Sequence, residues 1–227
     1  MEEMKQHLME WTLGLCPEPE GRKSCLMMAL KSARYHTGRD INTGKTGGSL
    51  EMRCNVNMRN EILENGMEDA EMFTGLTLYV ILLEQIGTLF GNKEEPKAIK
   101  RILQTTGNKI PLGLNKEQIV AVNDLRNTLA HNFGLATEPR CNKKGTEVHH
   151  KFTLSFSDDA PPVRLPEQKW DGCFTDKQDC TSTEIGVPAL CELVEEVIDY
   201  VRQSYKNGKL ELRLGEEETE ARFTIRV

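Results

Sequence analysis

The residues with the most chemical promise lie together in 122–133, VNDLRNTLAHNF. On a helix turning about 100° per residue, Val122, Leu125, Leu129 and Phe133 line one apolar stripe, and Asp124, Asn127 and His131 share the opposite side. Arg126 falls on a flank, about 140° from His131 by the same geometry. Arginine, asparagine and histidine grouped in this way make a surface able to handle an anion. The pattern alone fits equally an exposed helix carrying a salt bridge and a surface histidine, because polar faces are the norm on amphipathic helices. Its setting adds weight: residues 93–151 hold eleven Lys/Arg against six Asp/Glu, a net of +5 that leaves −11 for the rest of a chain of net charge −6.

Two other chemistries do not survive their spacing. GRDINTGKT at 38–46 places five residues between its first glycine and the Gly44-Lys45 pair, where a phosphate loop needs four, and helix-like sequence precedes it instead of a buried strand. Cys141, His149, His150, Cys173 and Cys180 match no structural zinc spacing. Adjacent histidines in a strand also point to opposite faces. No metal and no cofactor is expected. Seven cysteines, an odd number irregularly spaced, fit free thiols better than a disulfide framework.

Arg126-Asn127-Thr128-Leu129-Ala130-His131 resembles the Arg-X4-6-His motif of the HEPN superfamily. The longer run LRNTLAHNF is similar to the motif helix of HEPN proteins from bacterial toxin–antitoxin, plasmid and phage-defence systems. The resemblance extends over about 55–206 and implies a helical bundle and a metal-independent endoribonuclease. It also implies a homodimer in which two motif copies form one composite cleft, with the 2′-OH attacking to give a 2′,3′-cyclic phosphate. His131 is then the general base or acid, suited by an ordinary pKa near 6.5. Arg126 stabilises the phosphorane, and Asn127 orients the imidazole or bonds the phosphate. By the wheel angle a single helix cannot easily aim both Arg126 and His131 at one phosphate, whereas two helices about a two-fold axis can surround it. Arg140, Lys143, Lys144 and Lys151 are candidates for holding flanking RNA, though exposed lysines need no function. Asp124 and Glu84 are supporting candidates. Glu84 is conspicuous as a carboxylate inside an apolar run, where it could hold Arg126 or simply sit at the bundle edge. The partners implied are RNA, a second copy and a cognate antitoxin or activator. A non-catalytic HEPN-like module binding RNA or protein is the alternative.

The elements that must position these residues are mainly helical. Segments 4–15, 21–35, 58–64, 68–90, 96–105, 116–133 and 188–205 carry helical spacing, with Asn115 placed to cap the motif helix. Residues 37–49 are Gly/Thr-rich and read as a mobile loop. A strand is expected at 148–157 and a terminal hairpin from 210–214 with 221–227, while 171–184 is unassigned. The expected fold is mainly α, a HEPN-like bundle with a small β accessory. It forms one domain over 1–227, with core helices at about 55–206 and 1–36 and 208–227 as elaborations. With 38% hydrophobic and 28% charged residues, the chain can bury a sizeable core. The longest apolar run, 76–86, is broken by Thr77, Glu84 and Gln85, and the first residues are acidic, so neither a membrane span nor a secretion signal is expected, and the cytoplasm is the expected location.

Overall fold

The computed structural model describes residues 8–46, 67–91, 94–132, 134–137, 149–210 and 212–227. The helix expected at 58–64 lies outside them. The fold is mainly α and is arranged around one long helix. In chain order the labelled elements are β1 (Arg22–Ser24), α1 (Cys25–His36), α2 (Met67–Leu89), α3 (Ala98–Thr106), α4 (Lys116–Asn132), β2 (Lys151–Ser155), β3 (Ser182–Gly186), α5 (Val187–Lys206), α6 (Glu216–Phe223) and β4 (Thr224–Arg226). Residues 8–12 are helical, ahead of β1.

Helix α2 is apolar on nearly every side, which is why it sits at the centre: α1, α3, α4 and α5 all pack against it. Contrary to expectation, its Ala70–Leu89 stretch is long and apolar enough to cross a membrane by length and composition; half of that window is buried inside the protein. Gly87 permits a close contact between α2 and α3. A Cβ there would stand 2.0 Å from the Ala98 carbonyl oxygen, and Arg101 Nη1 donates to the Gly87 carbonyl at 2.5 Å. Helix α1 belongs to the same core, with Leu26, Leu30 and Ala33 buried.

The 37–46 segment is strapped down, not loose. Arg34 is 1% exposed and grips Glu195 on α5 with two bonds, Nε to Oε1 at 2.8 Å and Nη2 to Oε2 at 2.7 Å. Its Nη1 donates to the carbonyls of Ile41 and Asn42. Arg39 donates to the Gly44 carbonyl and to Glu192, and Tyr79 Oη donates to Glu195 Oε1 at 2.6 Å. Two buried arginines therefore hold a segment whose composition alone suggested mobility.

The β content differs from expectation in its pairing. β2 lies inside the expected 148–157 strand but pairs in parallel with β3, from the segment left unassigned, in the register Phe152 to Thr183. The terminal hairpin does not form. Glu216, Glu217 and Glu218 occupy the first turn of α6, where the positive end of a helix favours acids, and β4 pairs antiparallel with β1 at the other end of the chain. Arg22–Glu220 at 2.9 Å fastens this second sheet.

Candidate functional site

The motif helix α4 starts at a reciprocal cap. Asn115 Oδ1 accepts from the backbone N–H groups of Glu117 and Gln118, and Gln118 Oε1 accepts from the Asn115 N–H, each at 3.0 Å. Gln118 Nε2 also donates to the Val163 carbonyl at 2.8 Å, tying the start of α4 to the 160s. Val122, Leu125 and Leu129 are fully buried, so the apolar stripe faces the core as expected; Phe133 lies outside the described residues. That burial leaves the polar side of α4 facing outward.

On that side Arg126 is the hub. Its Nη2 donates to Glu84 Oε2 on α2, and its Nη1 donates to Asn127 Oδ1 at 3.2 Å and stands 3.3 Å from His131 Nε2. Although the wheel sets Arg126 and His131 about 140° apart, their side chains meet. The wheel gives the direction of Cα–Cβ, whereas a long guanidinium side chain can bend around the helix to reach a residue five positions on. With Arg126 as donor, Nε2 of His131 acts as the acceptor and the ring proton sits on Nδ1. Glu84 is the carboxylate that holds Arg126, and it is the one charged residue in the apolar run 76–86. Arg126 Nε is buried without a hydrogen-bond partner. His131 is exposed, and Arg126 and Asn127 are half-buried, so the cluster is open to a ligand.

The supporting residues fall elsewhere. Asp124 turns away from Arg126: its Oδ1 accepts from Asn123 Nδ2 at 3.0 Å, and its Oδ2 lies 4.0 Å from Nε2 of His150. Lys151 is occupied within the fold, donating to the carbonyls of Asp176 and Gln178 at 3.1 and 2.9 Å, where it braces the 171–181 segment against β2. Arg140, Lys143 and Lys144 lie outside the described residues. Among the described residues no three of His, Cys, Asp and Glu are grouped to hold a metal. Cys173 and Cys180 are free thiols.

No protein-family model matches this chain, no curated protein matches it, and no solved structure matches its fold. What can be said of its function rests on the side chains themselves.

The sequence reading did not single out a cavity of about 240 Å³ lined by Glu117, Val120, His149, His150, Leu165, Pro166, Lys169 and Trp170. His150 is buried, with Nδ1 2.9 Å from Thr183 Oγ1, and its ring stacks on Phe152. Burial holds its pKa below the ordinary value, opposed by Asp124 and reinforced by His149. The available signal was the spacing of Glu117, Val120, Asp124, Asn127 and His131, which continues a single stripe along α4.

Proposed function

We propose that this protein is a metal-independent endoribonuclease of the HEPN type, acting as a homodimer in a toxin or phage-defence role with a cognate antitoxin or activator. The observation that supports this reading is the convergence of Arg126, Asn127 and His131 on one open patch, with Glu84 setting the guanidinium. In the reaction, the substrate phosphate draws Arg126 Nη1 off His131 Nε2, which then accepts the proton of a ribose 2′-OH, and the 2′-oxygen attacks the adjacent phosphorus. The P–O5′ bond then breaks, and a proton passes to the departing 5′-oxygen. The products are a 2′,3′-cyclic phosphate and a 5′-hydroxyl. Arg126 offers two N–H groups to the phosphorane oxygens as their charge develops. One imidazole cannot serve as base and acid on opposite sides of the phosphorus in the same step. A second copy of His131, brought in by a two-fold axis, supplies the other role.

Cleavage of a mixed RNA pool in EDTA, with end-group analysis, tests the reading. The wild type is expected to leave cyclic phosphates, and His131→Ala and Arg126→Ala each to lose about a hundredfold or more of that activity while staying folded. Sedimentation is expected to give a dimer. Equal behaviour of all three proteins overturns the catalytic reading and favours a binding module. One observation already leans that way: Glu84 neutralises the charge that Arg126 would offer to a phosphate.

A further inference from the structure

The cavity beside the start of α4 lies on the same helical stripe as the motif. Glu117 and Val120 line it, Asp124 faces its His150, and Asn127 and His131 continue the row. At 1.5 Å per residue, Val120 and Asn127 are about 10 Å apart along the axis, and Glu117 and His131 about 21 Å. A strand bound at the motif would pass the cavity within a few nucleotides.

The size of the cavity, about 240 Å³, suits one flat ring system. It exceeds the roughly 150 Å³ that holds a benzene and falls below the roughly 300 Å³ at which drug-sized pockets begin. Its lining combines the rings of His149, His150 and Trp170 with Val120, Leu165 and Pro166. The rings of His149 and Trp170 meet edge to face at 6.3 Å and 83°; His149, half-buried, is the ring a planar guest can stack on, and Trp170, 4% exposed, is buried against it. Trp170 Nε1 is committed to the Cys173 carbonyl at 3.0 Å, leaving that ring a wall without a free donor. Phe174, 66% exposed, packs edge-on against Trp170 and supplies a second platform outside the cavity. At the rim, exposed Glu117 can accept from an exocyclic amine, and exposed Lys169 can donate to a ring carbonyl or a phosphate. His150 Nε2, nine-tenths buried with its residue, has no hydrogen-bond partner.

We propose that this cavity is a nucleobase subsite, taking an unpaired, amine-bearing base of a single strand whose backbone runs along α4 to Arg126 and His131. The strand rests on the ribonuclease reading; the base pocket does not. Stacking on aromatic rings with edge recognition is how single-stranded bases are held.

Two measurements test it. In the first, cleavage sites in a random RNA pool are mapped for the wild type, Glu117→Gln and Val120→Trp, the last of which fills the cavity. The wild type should favour cytosine, adenine or guanine over uracil at one fixed position near the cut. Both variants should still cleave, with that preference reduced at least about fivefold, the low end of discrimination by a well-made base edge. An unchanged preference in folded variants overturns the proposal, and Glu117→Gln decides the matter if Val120→Trp does not fold.

In the second, Trp170 fluorescence is titrated with CMP, AMP and UMP and with single-stranded oligonucleotides, using His131→Ala protein so that no RNA is cut. Saturable binding that favours the amine-bearing bases and weakens in Glu117→Gln supports the pocket, even if the wild type cleaves nothing and the ribonuclease reading falls. Binding of mononucleotides but not strands would mark a site for a free nucleotide and overturn the subsite. No binding of either would overturn the proposal altogether.

Discussion

Arg126 is held between a carboxylate that fixes it and an imidazole that it touches, and the balance between these contacts has kinetic consequences. Glu84→Gln keeps the shape of the holder and removes its charge. The guanidinium then gains net charge toward RNA but loses its fixed position. KM should therefore hold steady or fall, while kcat drops about tenfold, equivalent to about 1.4 kcal/mol of transition-state stabilisation. Single-turnover cleavage by the two proteins checks this, and an unchanged kcat would show that Glu84 does not position Arg126. His150 makes a second prediction at this scale. Burial depresses its pKa below the ordinary 6.5, so the unfolded chain takes up the proton first as the pH falls. Its contribution to stability is complete above that value and is lost as the pH drops from 6.5 toward the depressed native value. The slope can reach about 1.4 kcal/mol per pH unit for one proton. His150→Asn cannot titrate, so urea midpoints between about pH 5 and about pH 7 should fall less steeply than in the wild type. Parallel acid limbs would contradict this.

Among the elements, α1, α2 and α5 are joined by charge as well as by apolar packing. Arg34, Tyr79 and Glu195 form a closed network in the core that also holds 37–46 in place. Glu195→Gln leaves a buried guanidinium without its counter-charge and should cost about 3–5 kcal/mol. Arg164→Ala breaks a bridge of similar length to Glu184, 2.7 Å, at the surface, where the arginine side chain is 61% exposed, and should cost at most about 1 kcal/mol. Urea unfolding of the two variants checks the contrast. The same network shows what was readable beforehand. The long helices were legible because α2, α4 and α5 carry several turns of apolar spacing, and the Asn115 cap was visible in the residues themselves. Nothing local announces that Arg34 meets a glutamate far along the chain, so a Gly/Thr-rich segment looked loose. β1, β3 and β4 span three to five residues, too few to show alternation. At the site, Glu84 stood out as a lone carboxylate among apolar neighbours. The approach of Arg126 to His131 stayed hidden because it depends on a side-chain rotamer, which residue spacing does not encode.

For the whole molecule, the two-stranded clasp of β1 and β4 joins Arg22 to Arg226 across nearly the entire length of the chain. Closing so long a loop costs entropy that rises with the logarithm of its length, and the contact returns little until the helices already hold its ends near each other. The clasp should therefore be a late acquisition in folding and an early loss on heating. It behaves as a latch on a finished bundle and contributes nothing to the bundle's nucleus. Native-state hydrogen exchange can read this directly: the amides of β1 and β4 should exchange together, well before those of α2 and α5, because both strands open in one event. A fusion placed after Val227 would hang from the latch, beside β1 and on an edge expected to unfasten early.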